Sequence, residues 1–214
     1  MKTLLSHEPG GPETLALAER PTPAPGPGEL LVRVLACAVN FPDVLIIEDK
    51  YQLRPPRPFA PGSEIAGVVE AVGPGVAGWQ AGDRLIAAIG FGGMADQAIV
   101  AAAQAFRLPD WADPAEGAAL LMTYGTTIHA LVDRGQLKAG ETLLVLGAAG
   151  GTGIAAIEIG KALGARVVAA ASSEEKCRAA LDTGADEAVV YGRGPFDKVQ
   201  AKELSAAFKQ AVGP

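Results

Sequence analysis

The chain has 214 residues, 49% hydrophobic and 20% charged, a globular balance that excludes disorder of the whole chain and suits one large domain or two small ones. The net charge of −6 argues against nucleic acid or an anionic membrane as the main partner. Two separated cysteines without a C-x-x-C pair, no apolar leader and no run of membrane-span length together point to a reducing, cytoplasmic location without structural zinc or a disulfide framework.

In chain order, the first ~115 residues read as short strands between turns rich in Gly and Pro. The strands are "MKTLLS", "ETLALAE", "ELLVRVLACAV", "IAGVVEAVG", "DRLIAAI" and "ADQAIVAAA", a pattern that predicts a small barrel or sandwich. One short helix is expected at "PDVLIIE", where Pro42 suits a first helical turn. From about residue 113 the pattern changes. "DPAEGAALLMTYGTTIHALVDRG" predicts a helix with Asp113 as N-cap, Pro114 at its first position and a break or kink at Gly125. "ETLLVLGA" predicts a fully buried strand, "GTGIAAIEIGKALGA" a helix closed by Gly164, and "RVVAAAS" another buried strand. "EEKCRAALDTGA", "EAVVY" and "FDKVQAKELSAAFKQAVG" then predict helix, strand and helix. Such β-α-β-α-β-α alternation predicts a parallel sheet covered by helices. The expected division is residues 1–115 for the β-rich domain and 116–214 for the α/β domain.

"GAAGGTG" at 147–153 follows a predicted strand and opens a predicted helix, the context of a dinucleotide-binding turn. Ala148 stands at the first glycine of G-x-G-x-x-G, followed by Gly150 and Gly153. With Gly151 and Thr152, these residues would bring backbone N–H groups to a pyrophosphate at the positive end of the helix. The alternative is a tight strand–helix turn that binds nothing. The next strand ends in Ala170, Ala171 and Ser172, without the acid that would hold an NAD ribose. Ser172, Ser173 and Lys176 suit a 2′-phosphate instead, which favours NADP(H). Glu174 and Glu175 also have a structural place, in the first turn of the next helix.

"ACAVNFPDVLIIEDKYQ", "PFAPGSEIAGVVEAVGPGV", "GDRLIA" and "GAAGGTGIAAIEIGKALGARVVAAASSEEK" together resemble the zinc-independent quinone oxidoreductases of the medium-chain dehydrogenase/reductase superfamily. "GFGGMADQAIV" and "TYGTTIHAL" are most similar to its quinone oxidoreductase-like branch. The resemblance implies an α/β plus β fold: a GroES-like β-barrel domain, then a Rossmann parallel sheet with flanking helices, here truncated. It implies a nicotinamide cleft lined by Asn40, Asp43, Tyr51 and Thr126, with Asn40, Tyr51 and Thr126 in catalytic or cofactor-contacting roles. It also implies that Lys176 and Tyr191 hold the adenosine phosphate. Asn40 and Asp43 have an alternative role as caps of the short helix, Tyr51 as a half-buried anchor, Thr126 as a helix residue bonded to its own backbone, and Glu64 as a brace.

The zinc-dependent relatives place Cys and His ligands where this chain has Asn40 and Ser63, neither a plausible zinc ligand. Without a Lewis acid, hydride transfer suits acceptors that delocalise charge themselves, such as quinones and conjugated carbonyls. The expected function is an NADPH-dependent, zinc-independent reductase of such small molecules, with donors from Tyr51 and Asn40. The alternatives are an enoyl-thioester reductase and a nucleotide-binding partner protein without turnover. The family is usually homodimeric and its Rossmann sheet has about six strands. Only three are legible here, so the expectation is a fragment that lacks the dimer edge strand and leaves the "LLVLGA" strand unpaired on one side.

Overall fold

The computed structural model describes residues 1–192 and 194–213. The chain divides into two compact units, 1–122 and 123–214.

The first unit is built from β1 (Lys2–Ser6), β2 (Leu15–Glu19), β3 (Glu29–Ala38), β4 (Glu64–Val72), β5 (Arg84–Ala88), β6 (Gln97–Ala101) and β7 (Ala105–Arg107). β1 and β2 pair antiparallel. The other five form an antiparallel sheet in the order β6-β3-β4-β5-β7. β3 and β4 supply Leu30, Val32, Ile65 and Val69 to one face, where Leu85, Ala87, Ala98 and Val100 complete the core. Ala66 and Ile86 point the other way, onto Leu108 and Ala118, as the two-residue strand period requires. Register shifts between Leu31 and Val32 and between Val34 and Ala36 bend β3, as bulges do. β7 was not legible in the sequence, because three residues are too few to show an alternation.

Helix α1 (Phe41–Ile47) leaves the end of β3, with Pro in its first turn. Helix α2 (Pro114–Ala118) starts where Asp113 accepts the Ala115 N–H at 2.7 Å. The long helix expected over 113–135 is interrupted. α2 ends at Ala118, and Leu121–Gly125 and His129–Arg134 are wound as π-helix around the short α3 (Thr126–Ile128). Gly125 is helical, at φ −60° and ψ −46°, so the break falls earlier in the chain than its glycine suggested.

The second unit contains β8 (Thr142–Leu146), α4 (Gly151–Ala162), β9 (Arg166–Ala171), α5 (Glu174–Asp182), β10 (Glu187–Val190) and α6 (Lys198–Val212). The sheet is parallel, in the order β10-β9-β8. Central β9 is the fully buried strand, with Val167 to Ala170 at 0% exposure. β8 was expected to be buried throughout and is not: Leu146 is 63% exposed, because β8 is an edge of this sheet and pairs only with β9. Ser173 caps α5 by accepting the Lys176 N–H at 3.3 Å. Asp197 caps α6 by accepting the Val199 and Gln200 N–H groups.

Candidate functional site

In the first unit, Asn40 is the N-cap of α1 and forms a reciprocal capping box with Asp43. The Asn40 N–H donates to Asp43 Oδ2 at 2.7 Å, and the Asp43 N–H donates to the Asn40 carbonyl at 3.0 Å. Asp43 is 3% exposed and also accepts from the Gly62 N–H (3.2 Å) and the Ser63 hydroxyl (3.3 Å). Its valences are therefore filled by the fold. At the other end of the Asn40 amide, Nδ2 donates to Glu64 Oε2 at 3.3 Å.

Glu64 opens β4 with its side chain at 0% exposure. Its second oxygen, Oε1, accepts the backbone N–H groups of Leu121 and Met122, the latter at 3.1 Å. A buried carboxylate survives only when such donors replace water. Burial pushes its pKa above the ordinary carboxyl value and the Asp43 charge adds to that, against the pull of the three N–H donors. Cys37 lies in the same neighbourhood. Its thiol is pushed up to about 11, by burial first and then by the charges of Asp43 and Glu64, so it is protonated and inert at neutral pH.

Tyr51 follows α1, half-buried against the cluster of Ile46, Ile47 and Phe59. Its hydroxyl has no hydrogen-bond partner among the described residues. The loop that carries it is held by Arg57, which pairs with Asp49 Oδ1 at 2.7 Å, donates to the Ile47 carbonyl at 2.8 Å, and lies 5.2 Å from the Phe59 ring centroid.

In the second unit, β8 runs into the glycine turn. Gly147 takes φ +66°, a conformation that costs glycine nothing, and its carbonyl accepts the Gly150 N–H at 2.9 Å. Ala148 is fully buried, and its N–H donates to the Ala170 carbonyl at 3.1 Å. It shapes the turn and has no donor left for a ligand. Gly150, the N-cap of α4, provides no capping side chain, so the first-turn N–H groups at Gly151, Thr152 and Gly153 lack an acceptor inside the helix.

The glycines differ in what they are for. A Cβ on Gly153 would lie 2.6 Å from the Gly147 oxygen and 2.7 Å from the Ala148 backbone. The fold itself demands that glycine. A Cβ on Gly150 would meet only the Gly147 oxygen at 3.4 Å, and one on Gly151 only the Thr123 methyl at 3.0 Å. Both positions are exposed, so packing alone does not require them to be bare.

The parallel register brings the rest of this half-site to the carboxyl edge of the sheet. Leu146 pairs with Ala170 and Val190 with Ala171, and the Tyr191 N–H donates to the Ala171 carbonyl at 2.9 Å. Ser172 therefore sits between the glycine turn and Tyr191. Among the described residues, the Ser172 hydroxyl and the Lys176 ammonium have no hydrogen-bond or ion-pair partner. Ser173 spends its oxygen on the α5 cap. The Tyr191 ring stacks at a tilt on Phe208, centroids 6.4 Å apart.

Thr126 is exposed at the start of α3, while Thr127 is buried. The Thr127 hydroxyl lies 2.8 Å from the Thr123 carbonyl and 3.4 Å from the Thr152 carbonyl, so it ties the π-wound segment to the first turn of α4. Sequence reasoning missed this residue, and no local pattern announces a contact across 25 positions. It also missed Gly147, which a count of G-x-x-G-x-x-G starting at the end of the strand would have found.

These geometries match known proteins. Residues 26–110 match the alcohol dehydrogenase GroES-like domain. Over 186 residues the chain is 41% identical to quinone oxidoreductase-like protein 2 of Bos taurus, covering 86% of this chain and 53% of that protein. The chain is a homologue of the quinone oxidoreductases. Among solved structures, the quinone oxidoreductase from Thermus thermophilus, known also in complex with NADPH, matches at 35% identity and a TM-score of 0.81, covering 97% of this chain and 63% of its own. A mycobacterial protein complexed with NADPH matches at 33% identity and a TM-score of 0.89, covering 98% and 63%. The chain thus has the GroES-like domain and part of the parallel sheet of the medium-chain dehydrogenase/reductase fold, and spans about half the length of the curated quinone oxidoreductase-like relative.

Among the described residues, no three His, Cys, Asp or Glu are grouped to hold a metal ion. The side chains of Asn40 and Ser63 are engaged with Glu64 and Asp43. No helix among the described residues is long and apolar enough to cross a membrane.

Proposed function

We propose that this chain carries the barrel domain and the first half of the nucleotide domain of a zinc-independent, NADPH-dependent cytoplasmic reductase of quinones or other conjugated carbonyl compounds. The observation that carries this reading is the carboxyl edge of the parallel sheet. An uncapped helix start with bare Gly150 and Gly151 lies beside a strand end that has an unpaired hydroxyl at Ser172 and no carboxylate of its own, followed by the unpaired ammonium of Lys176 in the first turn of α5. The N–H groups of Gly151, Thr152 and Gly153 would hold the pyrophosphate. Ser172, Lys176 and Tyr191 would hold the 2′-phosphate end. When bound, NADPH supplies the hydride.

From the second unit, Thr126 is the proposed nicotinamide contact. From the first, the Tyr51 hydroxyl and the Asn40 amide are the proposed donors to the acceptor's oxygen, where negative charge collects as hydride arrives. The NADPH-bound structures among the relatives support the cofactor assignment, and the quinone oxidoreductase relatives support the acceptor class.

The test is a titration of the protein with NADPH and NADH by nucleotide fluorescence, followed by NADPH oxidation with a panel of quinones, enones and enoyl thioesters. Tighter binding of NADPH and turnover of quinones or enones are expected. Equal affinity for the two nucleotides overturns the roles of Ser172 and Lys176. Turnover of enoyl thioesters alone moves the assignment to that reductase class, and binding with no turnover leaves a nucleotide-binding protein.

A further inference from the structure

The Asn40 side chain sits between two groups that each dictate one end of its amide. As an N-cap in a capping box, it turns its oxygen toward the first turn of α1. Glu64 is a fully buried carboxylate that, ionised, only accepts, and it takes an N–H from Nδ2. A flipped amide would set its oxygen against the carboxylate and its nitrogen against backbone donors, losing the Nδ2 bond. What remains of the amide is a single N–H on Nδ2. Glu64 is itself held at its other oxygen by two backbone N–H groups, of Leu121 and Met122, so its position does not depend on Asn40.

We propose that Glu64 is a positioning residue which sets Asn40 as a one-proton donor and prevents it from presenting its carbonyl to the substrate. The inference deepens the reductase reading and, for its catalytic consequence, rests on it. The specificity that follows is for acceptors with a hydrogen-bond-accepting oxygen at that point, and against donor groups such as a hydroxyl or amine.

The substitution that tests it is Glu64→Gln. Gln keeps the shape and, with its oxygen placed at Oε1, keeps both backbone bonds. Its amide nitrogen then faces Asn40 Nδ2, donor against donor, and the Asn40 amide must turn. The Asn40 side-chain NH2 signals in a ¹⁵N-correlated spectrum of the full chain should move. The melting losses of Glu64→Gln and Asn40→Ala should be non-additive. With a quinone acceptor, kcat should fall roughly 100-fold, KM for NADPH should hold, and the double variant should be no slower than Asn40→Ala. Unmoved Asn40 signals together with additive melting losses overturn the proposal. So does a kcat loss in the double variant that multiplies the two single losses. If the unaltered chain reduces no conjugated acceptor, the reductase reading fails on its own, and the spectrum and melting cycle still decide whether Glu64 orients Asn40.

Discussion

Gly153 and Gly151 lie two residues apart in one turn, and the structure assigns them different work. Consider Gly153→Ala. Its Cβ would be forced to 2.6 Å from the Gly147 oxygen and 2.7 Å from the Ala148 backbone, against an ordinary contact of about 3.5 Å or more. None of these atoms is the end of a flexible side chain, so the helix must move off the strand. Overpacking of this kind costs about 1–3 kcal/mol, offset by up to about 1 kcal/mol from the better helix propensity of Ala. The net is a loss of up to about 3 kcal/mol, with a middle value of about 1.5 kcal/mol that corresponds to roughly 6–12 °C in melting temperature for a unit of fewer than 100 residues. Gly151→Ala gains the same propensity and meets only the Thr123 methyl at 3.0 Å, so its stability should stay within about 1 kcal/mol of the parent. Its methyl group instead occupies the space where a phosphate would approach the N–H groups, and the loss of one charge-assisted bond weakens NADPH binding roughly 10–100-fold. Thermal melting by circular dichroism and NADPH fluorescence titration on both variants measure the two effects. A Gly151→Ala protein that binds NADPH as tightly as the parent would refute the reasoning and leave the glycine run as a packing turn.

Three further outcomes are expected. Lys176→Ala should weaken NADPH about tenfold and leave NADH unchanged, and Ser172→Asp should reverse the preference, because a carboxylate there repels the 2′-phosphate and accepts from a ribose hydroxyl; paired titrations decide this. Arg57→Met removes the bonds to Asp49 and the Ile47 carbonyl, which should cost about 1–3 kcal/mol and make the Tyr51 loop the first site of limited proteolysis. Glu64 holds its proton to higher pH in the folded protein than in the unfolded chain, owing chiefly to burial, so stability from this group is greatest below the ordinary carboxyl pKa and is lost as pH rises through the raised value. Urea unfolding at a series of pH values should show that decline in the parent and its absence in Glu64→Gln.

The change from period-two strands to β-α-β alternation was legible without coordinates, because it is written in neighbouring residues. So were the cap at Asp113, the bare glycine turn, and the lack of an acid at the end of "RVVAAAS". These features follow from local backbone needs: orphan N–H groups, a left-handed turn, a buried strand. The unpaired flank of β8 was legible from the count of strands, but the exposure of Leu146 was not, since an edge strand and a central strand can carry the same apolar run. The π-winding of 121–125 and 129–134 also lay beyond it, because its residues have ordinary helical composition.

The site divides in the same way. The sequence by itself determined which residue types are present at Asn40, Tyr51, Gly151, Ser172 and Lys176, and therefore which ligands they can suit. Only the tertiary structure decided what each polar atom has left to offer. Ala148 spends its N–H on the sheet, Ser173 its oxygen on a helix, and Asp43 its carboxylate on three donors. Glu64 reaches Asn40 across 24 positions and Leu121 across 57. The physical reason is that hydrogen-bond capacity is finite and is spent on whichever partner the fold brings within about 3 Å.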